Sequence, residues 1–156
     1  MASYAARTAV PIERTRGEIE RCLQRYGATG FAYGWEGNMA TIGFKAQSRI
    51  VRFRLALPDR TSRAITHTES GAKRTETQAT TAWEQAQRQR WRALLLVIKA
   101  KLEAIESGIS SFEDEFMAHI ALPSGQTVGE WMGPQLKNAY ESSLMPPMLA
   151  LPSGTD

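Results

Sequence analysis

The sequence has no hydrophobic run long enough to cross a bilayer. Its longest apolar run extends from Ala93 to Ile98, far short of the roughly 20 residues that a membrane helix needs, and its first residues do not resemble a secretory signal. The chain has one cysteine, Cys22, which excludes an internal disulfide and suits a reducing compartment. We therefore expect a cytoplasmic location, no membrane partner, and Cys22 as a half-buried thiol in a helix.

The sequence also lacks the motifs of common enzyme chemistry, such as a phosphate-binding loop, a dinucleotide fingerprint, a nucleophile elbow or a zinc pattern. His67 lies between two threonines with no group nearby to orient it as a base. Glu113, Glu115 and His119 would make a weak divalent-metal site, but an acidic cap at a helix N-terminus explains the carboxylates more simply. We predict no catalytic residue, no metal and no cofactor, and a metal-dependent nuclease is the weakest alternative.

Cations are nearly absent from the last third of the chain. Residues 1–101 hold 18 of the 19 lysines and arginines against 8 acids, a net charge of +10, whereas residues 102–156 hold only Lys137 against 8 acids, a net charge of −7. Fourteen of the cations are arginine, whose planar guanidinium suits phosphate groups. This asymmetry indicates either a basic surface for a polyanion, or two parts that neutralise each other within the fold or across an oligomer interface.

Composition and periodicity predict one α+β domain. The chain is 42% hydrophobic and 22% charged, which is typical of globular proteins. We expect a loose leader over residues 1–11, a single domain over 12–143 and a flexible Pro-rich tail over 144–156. Apolar spacing predicts an N-terminal helix over 13–26, a dominant helix over 76–107, and two shorter C-terminal helices over 111–120 and 127–142. Trp131, Leu136 and Tyr140 are predicted to face inward from the last helix.

From Phe31 to Leu57 the apolar period changes to two, which predicts a three-stranded antiparallel β-meander packed against the dominant helix. Turns at 37–38 and 47–48 set the register. Aromatic and aliphatic residues then share one face in three rows: Phe31, Phe44 and Val51; Tyr33, Ile42 and Phe53; Trp35, Ala40 and Leu55. The other face combines small residues with Lys45, Arg52 and Arg54, and it predicts either a phosphate-contacting surface or an ordinary solvated sheet face.

Two further groups of cations extend this candidate surface. Residues 58–75 have no periodicity and predict a mobile loop, which would close over a polyanion through Arg60, Arg63, Lys73 and Arg74. The dominant helix carries Arg88, Arg92 and Lys99 on a stripe of its own, beside the apolar stripe. An inert tether and a solvated helix face are the alternatives. Trp91 is interpreted as a core residue rather than a base-stacking platform.

Three stretches of the sequence resemble a family of small proteins of bacteriophages and prophages that have no assigned chemistry. They are Ile12 to Pro58, Ala82 to Ile120 and Gly125 to Met132. The resemblance implies a role near phage replication or recombination and supplies no functional residue. In addition, a meander followed by a long basic helix is similar in topology to phage single-strand annealing proteins, although topology alone does not define function.

The leading hypothesis is a phage-type single-stranded nucleic-acid-binding protein that acts in replication or recombination. It requires the cations of the sheet, the loop and the long helix to converge on one surface. The acidic C-terminal region would dock a second copy, giving a homo-oligomer, or another protein. The main alternative is a protein-binding module that inhibits a host defence or repair complex, in which the acidic stretch from Glu103 to Glu115 mimics nucleic-acid charge.

Overall fold

The computed structural model describes residues 4–144, which form five helices and one three-stranded sheet. In chain order these are α1 (Ile12–Tyr26), β1 (Gly30–Glu36), β2 (Met39–Ala46), β3 (Arg49–Ala56), α2 (Arg63–Thr66), α3 (Glu76–Glu106), α4 (Phe112–Phe116) and α5 (Val128–Ser142). Two short 3-10 turns, Tyr4–Arg7 and Met117–His119, flank the helices. The predicted α+β class, with a β-meander, a long helix, an N-terminal helix and two shorter C-terminal helices, is confirmed.

The sheet has the predicted order β1-β2-β3 and the predicted antiparallel register. Tyr33 lies opposite Ile42, and Ile42 lies opposite Phe53, as in the expected central row. Gln47 and Ser48 both have positive φ, +48° and +60°, which gives the second turn the backbone twist that two-residue hairpins favour. Because a shift of one residue would turn every aromatic side chain to the other face, the hydrophobic pattern fixes this register.

A single hydrophobic core lies between the inner, aromatic face of the sheet and the helices α1, α3 and α4. Its largest fully buried side chains include Ile19, Leu23, Ile42, Trp91, Leu95, Ile98 and Phe116. The Phe116 ring meets Phe44 and Phe53 edge-on, with centroids 5.5 and 6.2 Å apart, an arrangement that aromatic rings prefer. Trp91 is buried beneath Tyr33, so its assignment to the core is confirmed.

Side-chain caps set the helix boundaries. The Thr75 hydroxyl accepts a hydrogen bond from the Gln78 amide N–H, while the Gln78 side chain accepts one from the Thr75 N–H. Thr127 and Glu130 make the same reciprocal pair at the start of α5. Each pair satisfies two backbone donors that a helix start leaves free. The second of these capping boxes follows from the sequence and is confirmed.

The predicted loose leader is wrong for residues 4–11. Ala5 is buried against α3, and the Gln85 side-chain amide donates hydrogen bonds to the carbonyls of Ala6 and Thr8, at 3.2 and 2.9 Å. Gln85 lies about 77 residues further along the chain, so no local pattern reveals that it holds this segment. The predicted tail lies, apart from Leu144, outside the described residues.

The predicted inward face of α5 is wrong for two of its three residues. Leu136 is 53% exposed and Tyr140 is 82% exposed, whereas Trp131 is half-buried. The helix is held at its first turn, where a Cβ on Gly129 would lie 2.9 Å from the Ala118 carbonyl oxygen, so only glycine allows this approach. The later turns extend away from the core, which is why an amphipathic pattern does not produce burial there.

Residues 58–75 contain more regular structure than the sequence suggests. They include the helical turn α2 and a β-bridge between His67 and Lys73, and Ile65 is buried. The mobility predicted for this segment stays a prediction. Among residues 4–144, no helix combines the length and the apolar character that a membrane crossing demands.

Phe116→Ala should lower the free energy of unfolding by about 3–5 kcal/mol, because it leaves a cavity among three aromatic rings. Urea denaturation followed by circular dichroism measures the change. The neighbouring, half-exposed Met117 is the control, and Met117→Ala should cost less than about 1 kcal/mol. Equal losses in the two variants would contradict the assignment of Phe116 to the centre of the core.

Candidate nucleic-acid interface

The two arginines of β3 lie on the outer face of the sheet, where Glu130 of α5 neutralises them. The Arg52 Nη2 donates to Glu130 Oε2 at 3.0 Å, and the Arg54 Nη1 lies 3.4 Å from Glu130 Oε1. Lys45 is on the same face and is exposed. One carboxylate therefore engages both guanidinium groups, and the phosphate-binding capacity expected of this face is largely committed within the chain.

Glu130 is held in place by its own helix as well as by the arginines. The Thr127 backbone N–H donates to its carboxylate at 2.9 Å. This hydrogen bond, followed by the positive charges of Arg52 and Arg54, holds the pKa of the Glu130 carboxyl below its ordinary value of 4.5. The capping box thus orients the Glu130 carboxylate towards β3. The same side chain caps α5 and pairs with the arginines of the sheet.

Two of the three α3 cations predicted from the sequence are also engaged, one by an acid and one by an amide. The Arg92 Nη1 donates to the Glu18 carboxylate of α1 at 3.0 Å. Arg88 donates to the Gln85 side-chain oxygen through Nε and Nη2, at 3.2 and 2.8 Å. Lys99 is exposed and enters no ion pair with a described residue.

The sheet cations and the α3 cations lie on different sides of the domain. Residues alternate between the two faces of a strand, and the inner face of the sheet is buried against α3 and α1. Arg52 and Arg54 therefore point away from the helix that carries Arg88 and Arg92. The expectation that all these residues converge on one surface is wrong, because α3 packs on the opposite face of the sheet from the sheet cations.

A groove lies between residues 58–75 and α3, and we call it the basic groove. Its volume is about 600 Å³. The floor is formed by Ala82, Ala86, Gln85 and Gln89, the wall includes Ala64 and Ile65, and Arg74 and Arg90 line it together with Glu69. Arg60, Arg63 and Lys73, which belong to residues 58–75, are exposed and lie outside this lining. None of these five cations is within ion-pair distance of a carboxylate among residues 4–144.

An arginine and a tryptophan attach the start of residues 58–75 to α3. Trp83 Nε1 of α3 donates to the Pro58 carbonyl at 2.9 Å. The Arg60 guanidinium carbon lies 5.2 Å from the centre of the Trp83 ring, within the range of a cation–π contact, and the same guanidinium donates to Thr80. Together these contacts hold the start of residues 58–75 on α3, with the Arg60 guanidinium stacked on the Trp83 ring.

Within the basic groove Arg74 has a structural role. Its Nη1 donates to the carbonyls of Ala64 and Ile65, at 2.9 and 3.0 Å, and so satisfies carbonyl groups at the end of α2. Sequence reasoning included Arg74 but missed Arg90, which lies on the rim of the groove and is exposed. The sequence signal for this groove is the spacing of Ala82 and Ala86, which are four residues apart on α3. Small residues on one side of a helix allow a neighbouring segment to pack closely there.

The residues of the weak metal hypothesis are not gathered into a site. Glu115 lies 3.6 Å from Lys101 Nζ, and the His119 ring stacks on Phe53 at 4.0 Å between centroids. Burial and the nearby Lys101 lower the pKa of His119 below its ordinary value of 6.5. Within the part of the chain that the structure describes, no three His, Cys, Asp or Glu residues are grouped to hold a metal ion.

Comparison with known proteins adds no relative. No protein-family model matches the chain, and neither the curated proteins nor the solved structures contain a match. The resemblance to small phage proteins therefore remains a prediction from the sequence.

Glu130→Gln should reduce stability at neutral pH, and this loss should disappear in acid. A group whose pKa is lowered by folding stabilises the folded state above its unfolded pKa, and the contribution fades as pH falls through the folded value. The difference in unfolding free energy between wild type and variant should thus be present at pH 7 and vanish below 4.5, the ordinary value. Urea titrations at several pH values measure it.

The matched control is Glu84→Gln, which removes an exposed carboxylate of α3 that is in no ion pair with a described residue. Its stability should follow that of wild type across the pH range. An effect of Glu130→Gln that is the same at acid and neutral pH would contradict the charge interaction with β3.

Proposed function

We propose that this chain binds single-stranded nucleic acid in the basic groove. The observation that carries the proposal is a set of cations in and beside one groove. Arg74 and Arg90 line the groove, and Arg60, Arg63 and Lys73 belong to the segment that forms one of its walls. None of the five is neutralised by a described carboxylate. Elsewhere Arg52, Arg54 and Arg92 have acidic partners. Cations without acidic partners at a concave surface favour a ligand with spaced negative charges.

The lining of the basic groove favours a single strand over a duplex. A duplex presents its bases to a protruding helix or ribbon that enters the major groove, whereas α3 is covered along this side by residues 58–75. A groove with alanines on its floor and arginines on its rim accepts one extended backbone. The side-chain amide of Gln89 at the floor adds hydrogen-bonding groups, and bases can stack on guanidinium planes such as that of Arg60.

The biological setting in this proposal, phage replication or recombination, rests on the sequence resemblance alone. Nucleic-acid binding rests on the basic groove and does not require that setting. The revised surface keeps Arg60, Arg63 and Lys73 from the original prediction and adds Arg90. It assigns Arg74 to positioning, and it leaves out Lys45, Arg52, Arg54, Arg88, Arg92 and Lys99.

A second candidate is the protein-binding module, and the acidic end of the molecule favours it. Glu103, Glu106, Glu113 and Asp114 are exposed and enter no ion pair with another described residue. The C-terminus of α3 holds the first two, and the start of α4 holds the others. Such a surface suits a basic partner.

Neutralising the groove should abolish most of the binding. The variant Arg63→Gln, Lys73→Gln, Arg90→Gln should weaken binding to a labelled oligo-dT strand by about 100-fold at 0.1 M salt, because three phosphate contacts are lost. The slope of log affinity against log salt should become shallower by about two, at about 0.7 per phosphate. Fluorescence anisotropy over a salt series measures both quantities.

A control of equal charge, Lys45→Gln, Arg49→Gln, Lys99→Gln, alters exposed cations outside the basic groove. It should keep the affinity within about threefold, since only long-range charge is lost. If this control lost as much affinity as the groove variant, binding would depend on net charge and not on the groove. If wild type failed to bind at low salt, nucleic-acid binding would be excluded and the protein-binding module favoured.

A further inference from the structure

The sheet has one open edge and one partly covered edge. Beside β3, the Ala121 N–H donates to the Ile50 carbonyl at 2.8 Å, and Val51 forms a bridge with Ile120. This segment continues the hydrogen bonding of the sheet at the start of β3. In the described structure β1 pairs with β2 alone, so its other edge offers free hydrogen-bonding groups.

The register identifies which backbone groups of β1 are free. Glu36 and Met39 flank a two-residue turn, and residues in that position bond to each other. Since the pattern alternates, Ala32 and Gly34 bond to β2, whereas the N–H and C=O groups of Phe31, Tyr33 and Trp35 point outward. Three residues, at every second position of the seven-residue strand, thus have backbone groups available for pairing.

This edge also lacks the features that commonly prevent strands from pairing. Gly30–Glu36 contains no proline and no lysine, and its one charge is at the turn end. Its inner face is aromatic and remains accessible: Trp35 is 70% exposed and Tyr33 is 37% exposed. An exposed edge with large apolar side chains favours association.

We propose that β1 pairs with β1 of a second copy, which gives a two-fold symmetric dimer with a six-stranded sheet. When the axis passes beside Tyr33, Phe31 of each copy lies opposite Trp35 of the other. All three outward residues of both strands then form hydrogen bonds. This is the only two-fold register that pairs all of them, and it sets aromatic residues against aromatic residues on one face and Ala32 against Gly34 on the other.

The two-fold arrangement limits this association to two copies. It uses the β1 edge of both partners, so neither β1 remains for a third chain. A head-to-tail contact between β1 and β3 would instead extend into a filament, and the segment that pairs with Ile50 and Val51 obstructs it at the start of β3. The strand is therefore complementary to itself, which favours a second copy over an unrelated peptide.

Dimerisation brings two positive charges together, and this repulsion determines the salt concentration of the test. The Arg16 guanidinium carbon lies 4.1 Å from the centre of the Tyr33 ring, so the two-fold axis brings two arginines towards each other. Salt screens this repulsion over about 6 Å at 0.3 M. The same salt weakens nucleic-acid bridging between chains, which separates this inference from the proposed function.

Sedimentation equilibrium of the full chain in 0.3 M salt should give twice the 17.3 kDa mass of one chain. Trp35→Lys adds a charge at the edge and should weaken the dimer by at least about 30-fold. Ile109→Lys is the control, because Ile109 is 83% exposed and lies outside the sheet, and its dimer should match wild type. Circular dichroism verifies that both variants are folded.

Amide hydrogen exchange of the wild-type chain tests the backbone pairing without any substitution. In the dimer the amides of Phe31, Tyr33 and Trp35 should exchange as slowly as those of Ala32 and Gly34, and on dilution to monomer they alone should become fast. A monomer at about 0.1 mM would overturn the proposal, because stable interfaces bind more tightly than this. A dimer that survives Trp35→Lys, or one whose outward amides exchange fast, would overturn it as well.

Discussion

The burial of one side of α3 on the aromatic face of the sheet is the interaction on which the rest of the structure depends. Trp91, Leu95 and Ile98 are almost completely removed from water against Ile42, Phe44 and Phe53, and each such side chain contributes about 1.5–3 kcal/mol. This packing decides which surfaces the molecule presents. It leaves the small, basic face of the sheet on the outside, and it frees the opposite side of α3 to receive residues 58–75. The basic groove and the outer face of the sheet therefore lie on different sides of the molecule.

Local and periodic features of the sequence predicted most of the fold. Two-residue turns and alternating aromatics specify the sheet register residue by residue, because an error of one position would expose Ile42, Phe44 and Phe53 together. Capping residues give the start of α5 within one position. Amphipathic spacing was insufficient for the end of α5, where Leu136 and Tyr140 are exposed. Periodicity shows that a helix has an apolar side and does not show that a partner covers it.

The candidate site was less predictable because its chemistry depends on pairs that are distant in the chain. Glu18 and Arg92 are separated by 74 positions, and Arg52 and Glu130 by 78, so counting cations identified the residues but not their partners. The arginines that appeared most suited to phosphate are engaged by acids in the folded chain. Arg63 and Lys73 were identified because they lie in a segment without periodicity, in which the sequence predicts no core positions. Arg90 was missed because it was considered only as part of a basic run.

The charge asymmetry of the sequence persists in the fold only in part. Ion pairs within the molecule determine which charged residues remain available to a ligand or a partner. Acids of the C-terminal third are partly used within the molecule, since Glu130 engages two sheet arginines and Glu115 engages Lys101. Cations without an acidic partner remain at and beside the basic groove and also at exposed positions such as Lys45, Arg49 and Lys99. In the C-terminal third, exposed acids without an ion pair to a described residue include Glu103, Glu106, Glu113 and Asp114. Intramolecular ion pairs thus remove part of the asymmetry and leave cations around a concave site at one place. A localised patch in a concave site attracts a polyanion more effectively than the same charge spread over a sheet, because its field is focused by the low-dielectric walls.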